Sequence, residues 1–167
     1  ALPIGYISFA PVKRMLIHAR GCTAARLIQG AQAAGVEVVL VQSDADMESY
    51  PTKLLRATDR LVSLGGNTPQ ESYLNGMSVI RIAQMEKVDA IHPGIGFLSE
   101  NPDFCLLCRK HGYNFIGPRA HSMEMMGNKS NAIATARRLN VPTVPGSHGV
   151  LTDAAYAYAV AQEIGFP

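Results

Sequence analysis

The stretch MLIHARGCTAARLIQGAQAAGVEVVLVQ, residues 15–42, decides the fold. Its first five residues are a short apolar run, read as a strand over 15–19. Gly21 breaks that run. Ala24, Leu27, Ile28, Ala31 and Ala34 then recur at helical spacing and define one apolar face. Gly35 stops the helix on its C-terminal side. Residues 37–42 are rich in β-branched side chains and predict a second strand, closed by the polar Ser43-Asp44-Ala45-Asp46. Strand, helix and strand in so few residues form a βαβ unit, which requires parallel strands.

The same alternation continues. A short helix is expected near residues 52–57 and a third strand over 61–64. Thr68-Pro69-Gln70-Glu71 has the form of a capping box, so a helix is expected from Thr68, with Met77, Ile80 and Ala83 turned inward. Residues 88–92 predict a fourth strand. Asn101-Pro102-Asp103 reads as the start of a further helix that Lys110-His111-Gly112 ends. A fifth strand is expected at 114–116, short helices at 121–126 and 130–139, an extended link at 141–146, and a last helix capped by Thr152. The fold class is therefore α/β: a Rossmann-like three-layer domain on a five-stranded, mainly parallel sheet, with a C-terminal helical linker. Such sheets place ligands beyond the carboxyl ends of their strands, so the loops after the first, fourth and fifth strands carry the functional search.

Composition narrows the function. The balance of 15 basic against 13 acidic residues gives a net charge of +2, and the basic residues are scattered, which argues against a nucleic-acid partner. No apolar run is long enough to span a membrane. Cys105 and Cys108 form a C-x-x-C inside a predicted helix, with no second pair, and read as buried structural thiols. That usage suits a reducing, cytoplasmic setting, or a mitochondrial one. No metal-ligand cluster, Walker A or G-x-S-x-G sequence occurs. The loop after the first strand holds Gly21 alone, where a dinucleotide-binding loop would be G-x-G-x-x-G. His18, His111, His121 and His148 are read as surface or packing residues.

Two segments carry more. The loop after the fourth strand runs His92-Pro93-Gly94-Ile95-Gly96-Phe97-Leu98-Ser99-Glu100-Asn101. Its glycines permit close backbone approach by a ligand. Gly127-Asn128-Lys129-Ser130 places a lysine at a helix start, where it opposes the helix dipole unless an anion is shared there.

Taken together, these strings resemble the biotin carboxylase family. The His92–Asn101 run is similar to that family's signature, in which the fourth residue is usually aromatic. Ser72-Tyr73-Leu74-Asn75 and Phe115-Ile116-Gly117-Pro118 are similar to other family strings, Met126-Gly127-Asn128-Lys129 to its Met-Gly-Asp-Lys, and Val141-Pro142-Thr143-Val144-Pro145-Gly146 to its extended link. The resemblance implies an ATP-dependent ligase that uses ATP, Mg²⁺ and bicarbonate to carboxylate biotin on a carrier protein. It implies an ATP contact for Lys129, a biotin-pocket loop comprising His92, Gly94, Ile95, Gly96, Phe97 and Glu100, and a supporting role for Arg20 and Arg26. No metal ligand is assigned. The implied division is an extension at 1–13, the N-terminal, pre-ATP-grasp domain at 14–127, and linking helices at 128–167. The implied partners are ATP-grasp and C-terminal domains of the same parent, a biotin carboxyl carrier domain and a like chain in a homo-oligomer; the isolated chain is expected to be inactive and to hold no ligand tightly. The chain departs from the family at Ile95, at Asn128, at Ala19 and Cys22 in place of Asn and Glu, and at Gln29 and Ala33, where bacterial relatives carry dimer-contact residues. The alternatives are the N-terminal domain of another ATP-grasp ligase, such as carbamoyl-phosphate synthetase or a purine-pathway carboxylase, and a non-catalytic nucleotide-binding module.

Overall fold

The computed structural model describes residues 11–147 and 149–166. Residues 1–10 of the expected 1–13 extension, His148 and Pro167 lie outside the described residues. The chain forms two compact units that divide between Ala120 and His121.

The first unit is built on five strands: β1 (Arg14–Ile17), β2 (Glu37–Gln42), β3 (Arg60–Ser63), β4 (Ala90–His92) and β5 (Asn114–Phe115). They lie in the order β3-β2-β1-β4-β5, and every neighbouring pair is parallel. The sheet is thus wholly rather than mainly parallel. The chain winds from β1 outward to β3, then returns to the other side of β1 for β4 and β5. The seam between β1 and β4 is therefore the point at which the winding direction reverses.

Both faces of the sheet are buried, as a parallel sheet requires. On one face Ile17, Val38 and Leu40 pack with Ala24, Ile28 and Ala31 of α1 (Gly21–Ala33). On the opposite face, offset by one residue along each strand, Leu16, Val39 and Val41 are fully buried. Complete burial of one such side chain is worth roughly 1.5–3 kcal/mol, so the alternation fixes the register of each strand. The first helix ends in a Schellman motif: Val36 N–H donates to the Ala31 carbonyl at 2.9 Å and Gly35 N–H to that of Gln32 at 3.2 Å, with Gly35 at φ +72. Ala34 is the C-cap and is exposed, not part of the apolar face.

Two expected elements move. The helix expected near 52–57 is a 3₁₀ turn at Tyr50–Leu54. The Thr68 capping box forms, but only as an isolated turn: the Glu71 carboxylate accepts from Asn67 N–H and Thr68 N–H, both at 3.1 Å. The helix itself, α2 (Gly76–Met85), starts at a second cap, Asn75, whose side chain accepts from Ser78 N–H at 3.1 Å. Its buried face is Val79, Ile80, Ile82 and Ala83; Met77 is 47% exposed, because at about 100° per residue it falls well outside the stripe those four define. α3 (Pro102–Lys110) begins as expected, with Asn101 accepting from Phe104 N–H at 3.0 Å.

The second unit contains α4 (Ala120–Gly127), which begins at the boundary, with α5 (Lys129–Arg138) and α6 (Ala154–Ile164). The cap of α6 is Asp153, not Thr152: its carboxylate accepts from Tyr156 N–H at 2.8 Å, and this bond lowers its pKa. An ionised carboxylate at a helix start also meets the favourable end of the dipole, which a hydroxyl does not.

Candidate functional site

β1 and β4 continue to pair past their ends, where His18 N–H donates to the His92 carbonyl at 2.9 Å. Beyond that bond the two chains diverge, one into α1 and the other into the loop at 93–101. The gap between them is a pocket of about 280 Å³. One wall is the first two turns of α1, with Cys22, Thr23, Arg26 and Leu27; the other is His92, Gly94 and Ile95. It opens beyond the carboxyl ends of the strands at the seam, the place a doubly wound sheet offers a ligand. The lining is mostly apolar, with Arg26 as its cation.

The loop is shaped by backbone that side chains avoid. Gly94, Gly96 and Phe97 all have positive φ, at +66, +77 and +46. Gly94 N–H donates to Nδ1 of His92 at 3.1 Å, which makes Nδ1 the acceptor and leaves Nε2 to carry the proton. Burial lowers the His92 pKa, favouring this neutral form. Ile95 projects from the bend and is 78% exposed.

The predicted residues separate into groups. His92, Gly94 and Ile95 share the pocket with Arg26. Gly96 forms the bend behind them. Phe97 turns away from the pocket and stacks on Tyr73, with ring centroids 4.6 Å apart and 16° between planes. Glu100 is exposed at the start of α3. Arg20 precedes α1 and pairs with Asp46 at 3.3 Å. Lys129 is the first residue of α5 and lies in the second unit. There it borders a cavity of about 70 Å³ with Ser130, Ile133, Ala134, Arg137, Ser147 and Gly149. Arg137 spends its guanidinium on the Thr143 hydroxyl and the carbonyls of Gly146 and Ser147, at 3.3–3.5 Å. Among the described residues, no three His, Cys, Asp or Glu side chains converge to hold a metal ion.

Sequence reasoning missed two parts of this region. Cys22, Thr23 and Leu27 line the pocket because α1 begins at Gly21; helical spacing from that glycine could have placed them. His18 was read as a surface or packing residue; it packs, and what the sequence did not show is the cage around it, with its ring fully buried among Tyr73, Phe97 and Phe104, at centroid distances of 5.8, 6.1 and 6.2 Å. Neither ring nitrogen has a hydrogen-bond partner among the described residues. Polar backbone at Tyr73 and Pro93 lies alongside and favours the charged form, but it lacks hydrogen-bond geometry, and burial wins, pushing the pKa down to about 4.

A parallel α/β domain with a ligand pocket at its topological switch point is the class that this fold and site define. The particular family follows from comparison: the "Biotin carboxylase, N-terminal domain" family matches residues 11–123, and the chain belongs to it. Biotin carboxylase 1 of Bacillus subtilis is 38% identical over 156 residues, covering 93% of this chain and 34% of its own length. The 2-oxoglutarate carboxylase small subunit of Hydrogenobacter thermophilus is 37% identical, covering 93% and 32%. A solved biotin carboxylase–β-γ-ATP complex from Campylobacter jejuni superposes with a TM-score of 0.85 at 39% identity, covering 94% of this chain and 34% of that one. The chain thus spans about a third of the length of the relatives it matches.

Proposed function

We propose that this chain is the N-terminal part of a biotin carboxylase, and that the pocket between α1 and the 92–97 segment forms one wall of the biotin site. The parent would use ATP, Mg²⁺ and bicarbonate to carboxylate biotin on a carrier domain. The observation that carries this reading is the coincidence of the pocket with the reversal point between β1 and β4. The apolar lining fits the ring system of biotin, and the exposed backbone at Gly94–Gly96 can approach a ureido group closely. Ile95 supplies apolar contact but no aromatic face. Arg26 supports the α1 wall, Arg20 holds the turn before it through Asp46, and Glu100 is assigned to the site by its place in the loop motif.

Lys129 would meet ATP. A phosphate there turns the repulsion between the lysine and the α5 dipole into a shared anion site. ATP supplies the phosphoryl group that activates bicarbonate, a step in which crowded negative charge must be neutralised. Related structures support the ligand set: the Hydrogenobacter thermophilus biotin carboxylase domain dimer was solved with MgADP and bicarbonate. Mg²⁺ would be held by domains beyond this chain. We place the functional division at residues 14–127 and 128–167, with ATP-grasp and C-terminal domains, a carrier domain and a like chain as partners. Relatives bear chloroplastic and mitochondrial names; for this chain we propose the cytoplasm, or a mitochondrion.

The test is nucleotide affinity in the parent. Lys129→Ala should weaken ATP binding by about 1.5–3 kcal/mol, the range for a hydrogen bond to a charged group. An unchanged dissociation constant would remove Lys129 from the site. The isolated chain should show no biotin-dependent ATP hydrolysis; turnover by it would overturn the assignment of the missing machinery to other domains.

A further inference from the structure

Three loops at the carboxyl edge of the sheet meet on one side chain. The Tyr73 hydroxyl donates to Asp46 Oδ2 at 2.7 Å and accepts from Ser43 N–H at 3.2 Å, both beyond the end of β2. Ser43 Oγ donates to the same carboxylate oxygen at 3.0 Å. Asp46 pairs with Arg20, from the turn between β1 and α1, and that guanidinium lies 5.8 Å above the Tyr73 ring. The other face of the contact is Phe97, stacked at 4.6 Å. The ring is 1% exposed.

Phe97 needs such a partner. It sits at φ +46, a conformation that bulky side chains hold only when their surroundings impose it. It is two residues from Ile95 and directly follows Gly96. Whatever fixes the Phe97 ring therefore fixes the bend that presents the pocket wall.

We propose that Tyr73 is a positioning residue for the reaction: its hydroxyl is moored to Asp46 and Ser43, and its ring clamps Phe97 so that the 94–96 backbone and Ile95 stand at the biotin pocket. Tyr73 is not among the residues that line the pocket; it acts through Phe97. Burial first, and the Asp46 carboxylate with it, push the Tyr73 pKa up to about 12, so the hydroxyl keeps its proton and remains a donor. His18 packs edge-on against both rings and closes the cage on its third side. The proposal rests on reading the 94–97 segment as the biotin wall.

The experiment is amide hydrogen exchange on this chain, comparing wild type with Tyr73→Phe. The sensitive amides are those of Ser99 and Asn101, which donate to the carbonyls of Gly96 and Leu98. Exchange across 94–101 should rise at least tenfold while β2 exchanges as before. Unchanged loop exchange overturns the proposal, and so does an equal rise in the loop and in β2, which would mean simple destabilisation. Should Tyr73→Phe not fold, Phe97→Leu keeps the mooring and removes the stack; the same local rise is expected, and its absence is equally fatal. In the parent, Tyr73→Phe should raise the KM for biotin several-fold and leave that for ATP unchanged. Faster loop exchange with an unchanged KM for biotin would keep the clamp and overturn the biotin reading of the wall.

Discussion

Gly94 lies against Ala19 so closely that a Cβ on Gly94 would stand 2.7 Å from the Ala19 Cβ and 2.9 Å from the His18 carbonyl oxygen. Both neighbours belong to the chain leaving β1, so neither can swing aside. The contact holds the β4 loop down on β1 and sets the floor of the pocket. Gly94→Ala should therefore lower stability by roughly 2–4 kcal/mol, combining overpacking with the left-handed backbone at this position. Urea unfolding of the two chains measures it, and a loss below about 0.5 kcal/mol would contradict the contact.

His18 makes stability depend on acid. Its pKa falls from 6.5 to about 4 on folding. Between those values the unfolded chain takes up a proton that the native chain refuses. Stability therefore falls as pH drops from 6.5 toward 4, by up to about 1.4 kcal/mol per pH unit from this group. Burial lowers the His92 pKa too, and its contribution has the same sign. His18→Leu should flatten the profile over that range and, by removing two buried nitrogens without partners, should not destabilise the chain at pH 5. Melting curves at half-unit pH steps give the comparison.

The cysteines should react unequally. Cys22 is exposed, and Cys105 and Cys108 are buried. Burial foremost pushes the Cys108 thiol up to about 12, so almost none of it is thiolate at pH 8. An aromatic disulfide reagent should titrate one thiol per native chain and three after denaturation. Rapid reaction of two or more native thiols would show α3 to be loosely packed.

The two caps before α2 can be ranked. Asn75→Ala should destabilise by about 1 kcal/mol, as loss of a true N-cap does, whereas Thr68→Ala removes only a 3.4 Å bond from an exposed turn and should stay within about 0.5 kcal/mol. A larger loss at Thr68 than at Asn75 would reinstate the earlier start of the helix.

At the far end of α2, Lys87 holds φ +53 while its N–H donates to the Gln84 carbonyl and the next N–H, of Val88, to that of Ala83. This is the position where helices prefer glycine. Lys87→Gly should raise stability by about 1 kcal/mol, the left-handed penalty for a side chain. Thermal melts would show it as a higher midpoint.

Lys87 also shows why some of the fold was hidden in the sequence. Helices stopped by glycine announced themselves at Gly35 and Gly112; the ends expected near Glu86 and Leu139 hold to within a residue, but the left-handed Lys87 and Asn140 that follow them had no glycine to mark them. The β2 run was legible to the residue because alternate burial on two faces demands an unbroken apolar stretch. The start of α2 was not, because two valid caps seven residues apart compete, and the burial of Tyr73 between them decides. For the site, the chain motif located the loop but not its interior. Phe97 reads as a pocket residue by its place in the motif, yet its ring stacks on Tyr73 and is absent from the pocket lining.

The seam that makes the pocket also sets the order in which it can be made. Its two walls come from segments some 70 residues apart in sequence (Cys22 and Gly94). As the chain leaves a ribosome, β1 can pair with β2 almost at once, while its other edge waits for β4. Until then the α1 wall faces nothing, and the backbone of β1 offers an open row of donors and acceptors to any passing strand. The inner seam of the sheet thus stays open until β4 is made, and a chain caught early in synthesis would be most exposed to misassembly along the β1 edge that borders the pocket.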